Sequence, residues 1–193
     1  MGHARATESY FYKTVARHQV GDFRGAEKGY RKILRHAPNN VATLINLGLL
    51  LKEQGELKRA FDLFTQAVAL APEYADAHSS LGSLHACMGK KYKAIACYRT
   101  ALALTPESAD VLTNLGTALR IIGQYVEAYE LLNRAIEIEP DRTSAHEELA
   151  AVFREWGAVG KAHTHLQRAL DIDPSNALLR LKLATLLPVI VNS

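Results

Sequence analysis

The hydrophobic positions of this chain recur at helical spacing. Between residues 41 and 74 the apolar series runs Leu44, Leu47, Leu51, breaks at Gly55, and resumes as Leu57, Ala60, Phe64 and Ala67. Steps of three and four place these side chains on one face of a helix. The glycine divides the stretch into two amphipathic halves, and Pro72 closes it because proline cannot continue a helix. The same arrangement returns at one fixed step along the chain. Pro38, Pro72, Pro106, Pro140 and Pro174 keep that step, as do Gly21, Gly55, Gly89, Gly123 and Gly157, and Ala26, Ala60, Ala94, Ala128 and Ala162. Three residue types in five-fold register mark one supersecondary unit repeated along a solenoid.

The spacing predicts helix pairs over 7–20 and 23–36, 41–54 and 57–70, 75–88 and 91–104, 109–122 and 125–138, and 143–156 and 159–172. A last helix is predicted from about 177 to 187, stopping at Pro188. The expected organisation is all-α. Residues 1–6 are a disordered start or a leftover of expression. Residues 7–176 form five repeats (7–40, 41–74, 75–108, 109–142 and 143–176). Residues 177–193 are a capping or linker helix and tail.

The unit resembles the tetratricopeptide repeat. That family places a large residue at position 4, Leu at 7, Gly at 8, a bulky residue at 11, Gly at 15, Ala at 20, an aromatic at 24, Ala at 27 and Pro at 32. The second repeat reads Leu44, Leu47, Gly48, Leu51, Gly55, Ala60, Phe64, Ala67 and Pro72. The fourth reads Leu112, Leu115, Gly116, Leu119, Gly123, Ala128, Leu132, Ala135 and Pro140. The third sets His78 and His85 at positions 4 and 11, and the fifth sets His146 and Ala150 at 4 and 8. The first departs most, with Lys13 and Thr14 in place of Leu and Gly.

The resemblance implies a right-handed solenoid of five helix–turn–helix repeats plus a C-terminal helix. It also implies a protein or peptide partner held in a concave groove lined by the first helix of each repeat. On that mapping Phe11, Ile45 and Leu49 are candidate anchors for apolar side chains. Asn46, Ser79, Ser83, Thr113, Asn114 and Thr117 offer amides and hydroxyls to an extended backbone. Arg120 and Arg154 suit acidic groups. The carboxylate clamp of tetratricopeptide cochaperones is absent, since the residues flanking Asn46 and Asn114 lack the required Lys and Arg.

A second resemblance touches fewer residues. Asn46-Leu47-Gly48 and Asn114-Leu115-Gly116 are similar to the asparagine ladder in the repeat arm of O-linked N-acetylglucosamine transferases and their SPINDLY-like bacterial relatives. The closing LRLKLATLLPVIVNS is similar to the segment that joins such an arm to its catalytic domain. This implies, as an alternative function, the substrate-recognition arm of a larger glycosyltransferase. Ser80 and Glu148 interrupt the ladder.

Charge and composition narrow the reading. The net charge of +3 is too small to argue for nucleic acid. The imbalance sits at the front, where residues 1–40 carry eight Lys or Arg against three Asp or Glu. This fits a solvated basic repeat or a basic docking face. No apolar run approaches the ~18 residues of a membrane span, and the start MGHARATESY lacks the apolar core of a secretory signal. Cys87 and Cys97 diverge from the turn between their helices, so free thiols and a cytoplasmic, reducing setting are expected.

No nucleophile constellation, phosphate loop or zinc spacing occurs. His78 and His85 share a helix face but hold packing positions. Enzyme activity, a cofactor and a metal are therefore not expected within these residues. The final helix, in contrast, is apolar on nearly every side. Leu179, Leu183, Leu186, Leu187, Val189 and Ile190 are candidates for contact with a second copy or a downstream domain. A self-assembling structural protein is thus a third functional reading.

Overall fold

The computed structural model describes the backbone of residues 2–191 and the side chains of residues 8–186. It is all-α, with eleven helices and no strand among the described residues. The helices are α1 (Gly2–Gln19), α2 (Phe23–His36), α3 (Val41–Glu53), α4 (Leu57–Leu70), α5 (Ala75–Cys87), α6 (Lys91–Leu104), α7 (Ala109–Ile121), α8 (Tyr125–Ile138), α9 (Thr143–Glu155), α10 (Val159–Ile172) and α11 (Ala177–Val191). The helices α2, α4, α6, α8 and α10 keep the expected bounds. The helices α1, α3, α5, α7 and α9 end one residue early, where the chain enters the glycine turn.

Two ends differ from expectation. The helix α1 begins at Gly2 rather than residue 7, so helix stands where a disordered start was expected; the side chains of residues 1–7 lie outside the described residues. The helix α11 runs to Val191 instead of stopping at Pro188. The φ that proline fixes, about −65°, is itself a helical value, so a proline in the last turns costs a helix stability without having to end it.

The chain divides into two compact units, Met1–Leu104 and Thr105–Ser193. In the first, α1 packs on α2, α3 on α4 and α5 on α6, while α3 also contacts α2 and α5. Local chemistry sets the pairs. Asn40 caps α3 by accepting a hydrogen bond from the Thr43 amide at 2.9 Å. Gly55 turns the chain at φ +79°, a left-handed value that side chains disfavour. Leu44, Leu47, Leu50, Leu51 and Phe64 then form a buried core with Tyr30 and Leu84.

The packing of α3 on α4 requires a bare Cα at Gly48: a Cβ there would lie 2.5 Å from Phe64 Cε1. The first repeat inverts the arrangement. Thr14 occupies the glycine position of α1, is buried, and donates its hydroxyl to Tyr10 O at 2.8 Å. The facing residue on α2 is Gly29, where a Cβ would meet Thr14 Cγ2 at 2.6 Å. The small residue has moved to the opposite helix, and the close approach is kept.

In the second unit α7 packs on α8, α9 on α10, and α11 on α10. Ser108 caps α7. Leu112, Leu115, Leu119, Leu132 and Leu149 are fully buried. The helix α11 starts one repeat length after α9, at Ala177 against Thr143, so it holds the register of a first helix. This corrects the expectation for two of its leucines. Leu179 and Leu186 are buried, so they close the chain's own last repeat and are not a surface for another molecule, while Leu183 is half-buried and keeps an accessible edge. The exposed leucines are Leu178 (55%) and Leu181 (60%). The side chains of Leu187, Val189 and Ile190 lie outside the described residues.

Candidate peptide-binding face

The first helices of each unit are joined by polar rungs. In the first unit, His18 Nε2 of α1 lies 3.1 Å from Glu53 Oε2 of α3. Lys52 Nζ of α3 donates to Ser83 Oγ of α5 at 2.8 Å. In the second unit, Arg120 Nε of α7 donates to Glu148 Oε2 of α9 at 2.6 Å. Lys182 Nζ of α11 donates to Glu147 Oε2 of α9 at 2.6 Å. His18, Lys52 and Arg120 all hold position 12 of their repeats, near the end of a first helix, and each reaches forward to the next first helix. Ala86 holds this position in the third repeat and has nothing to extend.

Arg154 holds it in the fifth repeat and breaks the pattern. Arg120 finds the carboxylate of Glu148 on the next first helix. At the same interval from Arg154 the chain places Lys182, a like charge. Arg154 is accordingly exposed, with its nearest carboxylate, Glu155, at a loose 3.9 Å. Beside it a cavity of about 150 Å³ is lined by Arg120, Glu147, Glu148, Arg154 and Lys182, with Leu186 among its apolar walls.

The remaining expected groove residues divide sharply. Phe11 and Leu49 are half-buried against the core of the first unit and keep an accessible edge. Ile45 is only 5% exposed and is a core residue, not an anchor for a ligand. Thr113, also 5% exposed, donates its hydroxyl to Ala109 O at 2.7 Å. Both hold position 5 of their repeats and are covered in the second and fourth, whereas the same position is half-buried at Phe11, Ser79 and Glu147. Asn46 Nδ2 donates to Ala42 O at 2.8 Å, and Thr117 Oγ1 donates to Thr113 O at 2.9 Å, so these donors serve their own helices. Ser83 receives Lys52. Ser79 is half-buried and Asn114 is exposed. Accessible amide and guanidinium donors thus remain at Asn114 and Arg154.

Four histidines pack or bond within the fold. His146 and His78 hold position 4. His146 Nε2 lies 3.0 Å from Pro140 O, and His78 Nε2 lies 2.8 Å from Pro72 O. Each therefore donates to the carbonyl of the proline that closes the preceding repeat. With its Nε2 protonated, a neutral His146 accepts at Nδ1 from His165 Nδ1, 3.1 Å away. His165 stacks on Phe153 at 5.3 Å. Burial, and then the neighbouring His146, hold His165 below the ordinary imidazole value. His85 tilts against Phe61 at 5.8 Å. Burial lowers it too, followed by the charges of Lys90 and Lys93. Among the described residues no group of His, Cys, Asp and Glu is arranged to hold a metal, and no helix is long and apolar enough to cross a membrane.

Sequence reasoning passes over Lys182 as a site residue, although a signal exists. Lys182 stands one repeat length after Glu148, and so continues the first-helix register past the last proline marker. The apolar character of the final segment hides it.

Among solved structures, the chain is similar to MamA, with 29% identity and a TM-score of 0.68 over 92% of this chain and 96% of that one. It is also similar to TTC0263, a thermophilic TPR protein of Thermus thermophilus, with 19% identity and a TM-score of 0.81 over 94% and 98% of the two chains. YrrB, described as a TPR protein with an unusual peptide-binding site, matches with 20% identity and a TM-score of 0.67 over 91% and 90%. At such identities the last two likenesses speak for the fold alone. No curated protein matches the chain. Models of the tetratricopeptide repeat match residues 16–75, 75–108 and 107–175. With these matches laid over the observed helix pairs, the chain belongs to the tetratricopeptide repeat family.

Proposed function

We propose that the chain is a non-catalytic scaffold that binds a protein or peptide along its first-helix faces, with a carboxylate of the partner seated at Arg154. The observation that carries this is the broken rung. The position-12 cations Lys52 and Arg120 each have a partner on the next first helix, while Arg154, with Lys182 in the place of that partner, stays open beside a small cavity. A carboxylate placed there completes the rung that the chain itself leaves incomplete. Asn114, on the neighbouring α7, is available to a backbone carbonyl of the same ligand. Cys87 and Cys97, both free thiols, support a cytoplasmic setting.

Selection from a random peptide library tests the reading. Peptides recovered on the wild-type chain should be enriched in Asp, Glu or a free C-terminus. Arg154→Glu should weaken them at least about tenfold, or ~1.4 kcal/mol. Unchanged binding to the variant by every recovered peptide would remove Arg154 from the site.

A further inference from the structure

The second helices carry a feature that the first-helix faces do not explain. Along α2, Arg24, Lys28, Arg31 and Arg35 fall at steps of four, three and four residues, one stripe on one face. With Glu27, Leu34 of the same helix, Leu47 of α3 and Leu63 of α4 they line an open depression of about 760 Å³. The floor is apolar and the rim is basic.

Glu27 is the acidic residue of this surface, and it is already engaged. Arg31 holds it at 2.8 Å and Arg59 of α4 reaches it at 3.3 Å. Arg59 also pairs with Glu56. Arg24, Lys28 and Arg35 are exposed, and among the described residues no ion-pair partner is found for them. Cations three and four apart on a helix repel one another, so the stripe opposes the stability of α2.

The repeat supplies an internal control. The same four positions on α4 hold Lys58, Asp62, Thr65 and Ala69. On α8 they hold Val126, Glu130, Asn133 and Glu137. The fold therefore does not require cations there, and α2 alone among these has four.

We propose that this shelf docks an acidic protein segment that sets an apolar side chain between carboxylates. Charge complementarity selects the carboxylates, and the leucine floor selects the apolar side chain. From Arg24 to Arg35 the stripe spans about 16 Å along the helix axis. That is room for about five residues of extended chain. A nucleic acid fits less well: no aromatic side chain lines the shelf for a base to stack on, and Glu27 sits within the stripe. The shelf is separate from the Arg154 site and does not depend on it.

The test is fluorescence anisotropy with a short fluorescein-labelled peptide of Glu with interspersed Leu. Its controls are the same peptide with Gln for every Glu, and an oligouridylate of equal charge. The wild-type chain should bind the Glu peptide, more weakly as salt rises, and should bind the Gln peptide and the RNA less well. Arg24→Glu/Lys28→Glu/Arg35→Glu should weaken the Glu peptide at least about tenfold. The milder Lys28→Gln/Arg35→Gln should weaken it severalfold, with helical circular dichroism unchanged in both. On the Arg154→Ala chain, which lacks the first-helix carboxylate site, the Glu peptide should still bind and should still be lost on the charge reversal, so failure here is distinct from failure at the first-helix face. Four results overturn the proposal: no binding of the Glu peptide, equal binding by the charge-reversed chain, equal or tighter binding of the RNA, or salt-sensitive self-association that the reversal abolishes. The last would mean that a second copy occupies the shelf.

Discussion

The first-helix face of α1, α3 and α5 and that of α7, α9 and α11 share one register and differ in what fills it. The first is built on half-buried apolar side chains, Phe11, Val15 and Leu49, with His18–Glu53 and Lys52–Ser83 as rungs. The second is built on charge, with Arg120–Glu148 and Glu147–Lys182 as rungs and Arg154 left over. The helix pairs beneath are alike. Packing between a first and a second helix restricts positions 8, 20, 24 and 27, and leaves positions 9 and 12 free to vary. The contrast shows where a repeat protein can change its partner without changing its fold.

The comparison breaks most visibly if its shared foundation is removed. Gly48→Leu should drive a side chain into Phe64 and cost about 3 kcal/mol in urea denaturation. Gly116→Leu, facing the more adaptable Leu132 at 2.8 Å, should cost less. If the two cost the same, the aromatic at position 24 is not what makes the first unit less tolerant.

A smaller effect tests the inverted packing of the first repeat. Gly29→Ala should destabilise by about 1–2 kcal/mol. In a double-mutant cycle Thr14→Ala should relieve part of that, with a coupling of about 1 kcal/mol. Additive effects would mean that Thr14 and Gly29 do not share the space between α1 and α2.

Next come the two arginines. Arg120→Ala leaves Glu148 half-buried without its partner and should cost about 1 kcal/mol. Arg154→Ala should change stability by less than about 0.5 kcal/mol, while weakening an acidic peptide. If the stability costs are reversed, the rung pattern has been assigned to the wrong arginine.

The smallest effect is on pH dependence. The imidazoles of His85 in the first unit and His165 in the second are both held below their ordinary 6.5. The folded chain thus binds these protons less readily than the unfolded chain. Their contribution to stability is present above the unfolded value and is lost as pH falls below it. Urea midpoints should decline as pH falls from 7 toward 5, and His165→Phe should flatten that decline. An equally steep decline in the variant would assign the acid limb to other groups.

The periodic markers make the fold legible in the sequence. Glycine, alanine and proline in five-fold register place the inner helix boundaries to within a residue, because backbone conformation at those points is a local property. The ends escape this logic. Nothing periodic governs residues 2–6, and a proline at 188 does not by itself stop a helix.

The candidate site was less legible. Phe11, Leu49, Asn114 and Arg154 keep accessible positions. Ile45 and Thr113 turn into neighbouring helices, and Asn46 and Thr117 bond to their own.

What the sequence alone determined, then, is the unit: two helices, a glycine turn and a closing proline, returning at a fixed step. Short-range sterics and helical periodicity act within one repeat and need no knowledge of its neighbours. Only the tertiary structure decided which side chains remain available. Lys52 is taken by Ser83 and Arg120 by Glu148, and Arg154 is left open because the residue in the corresponding place is Lys182, which pairs with Glu147. Each of those outcomes depends on a residue of the next repeat, brought near by stacking. The charge and reach of that distant neighbour determine whether a polar group is spent inside the chain or offered to a partner.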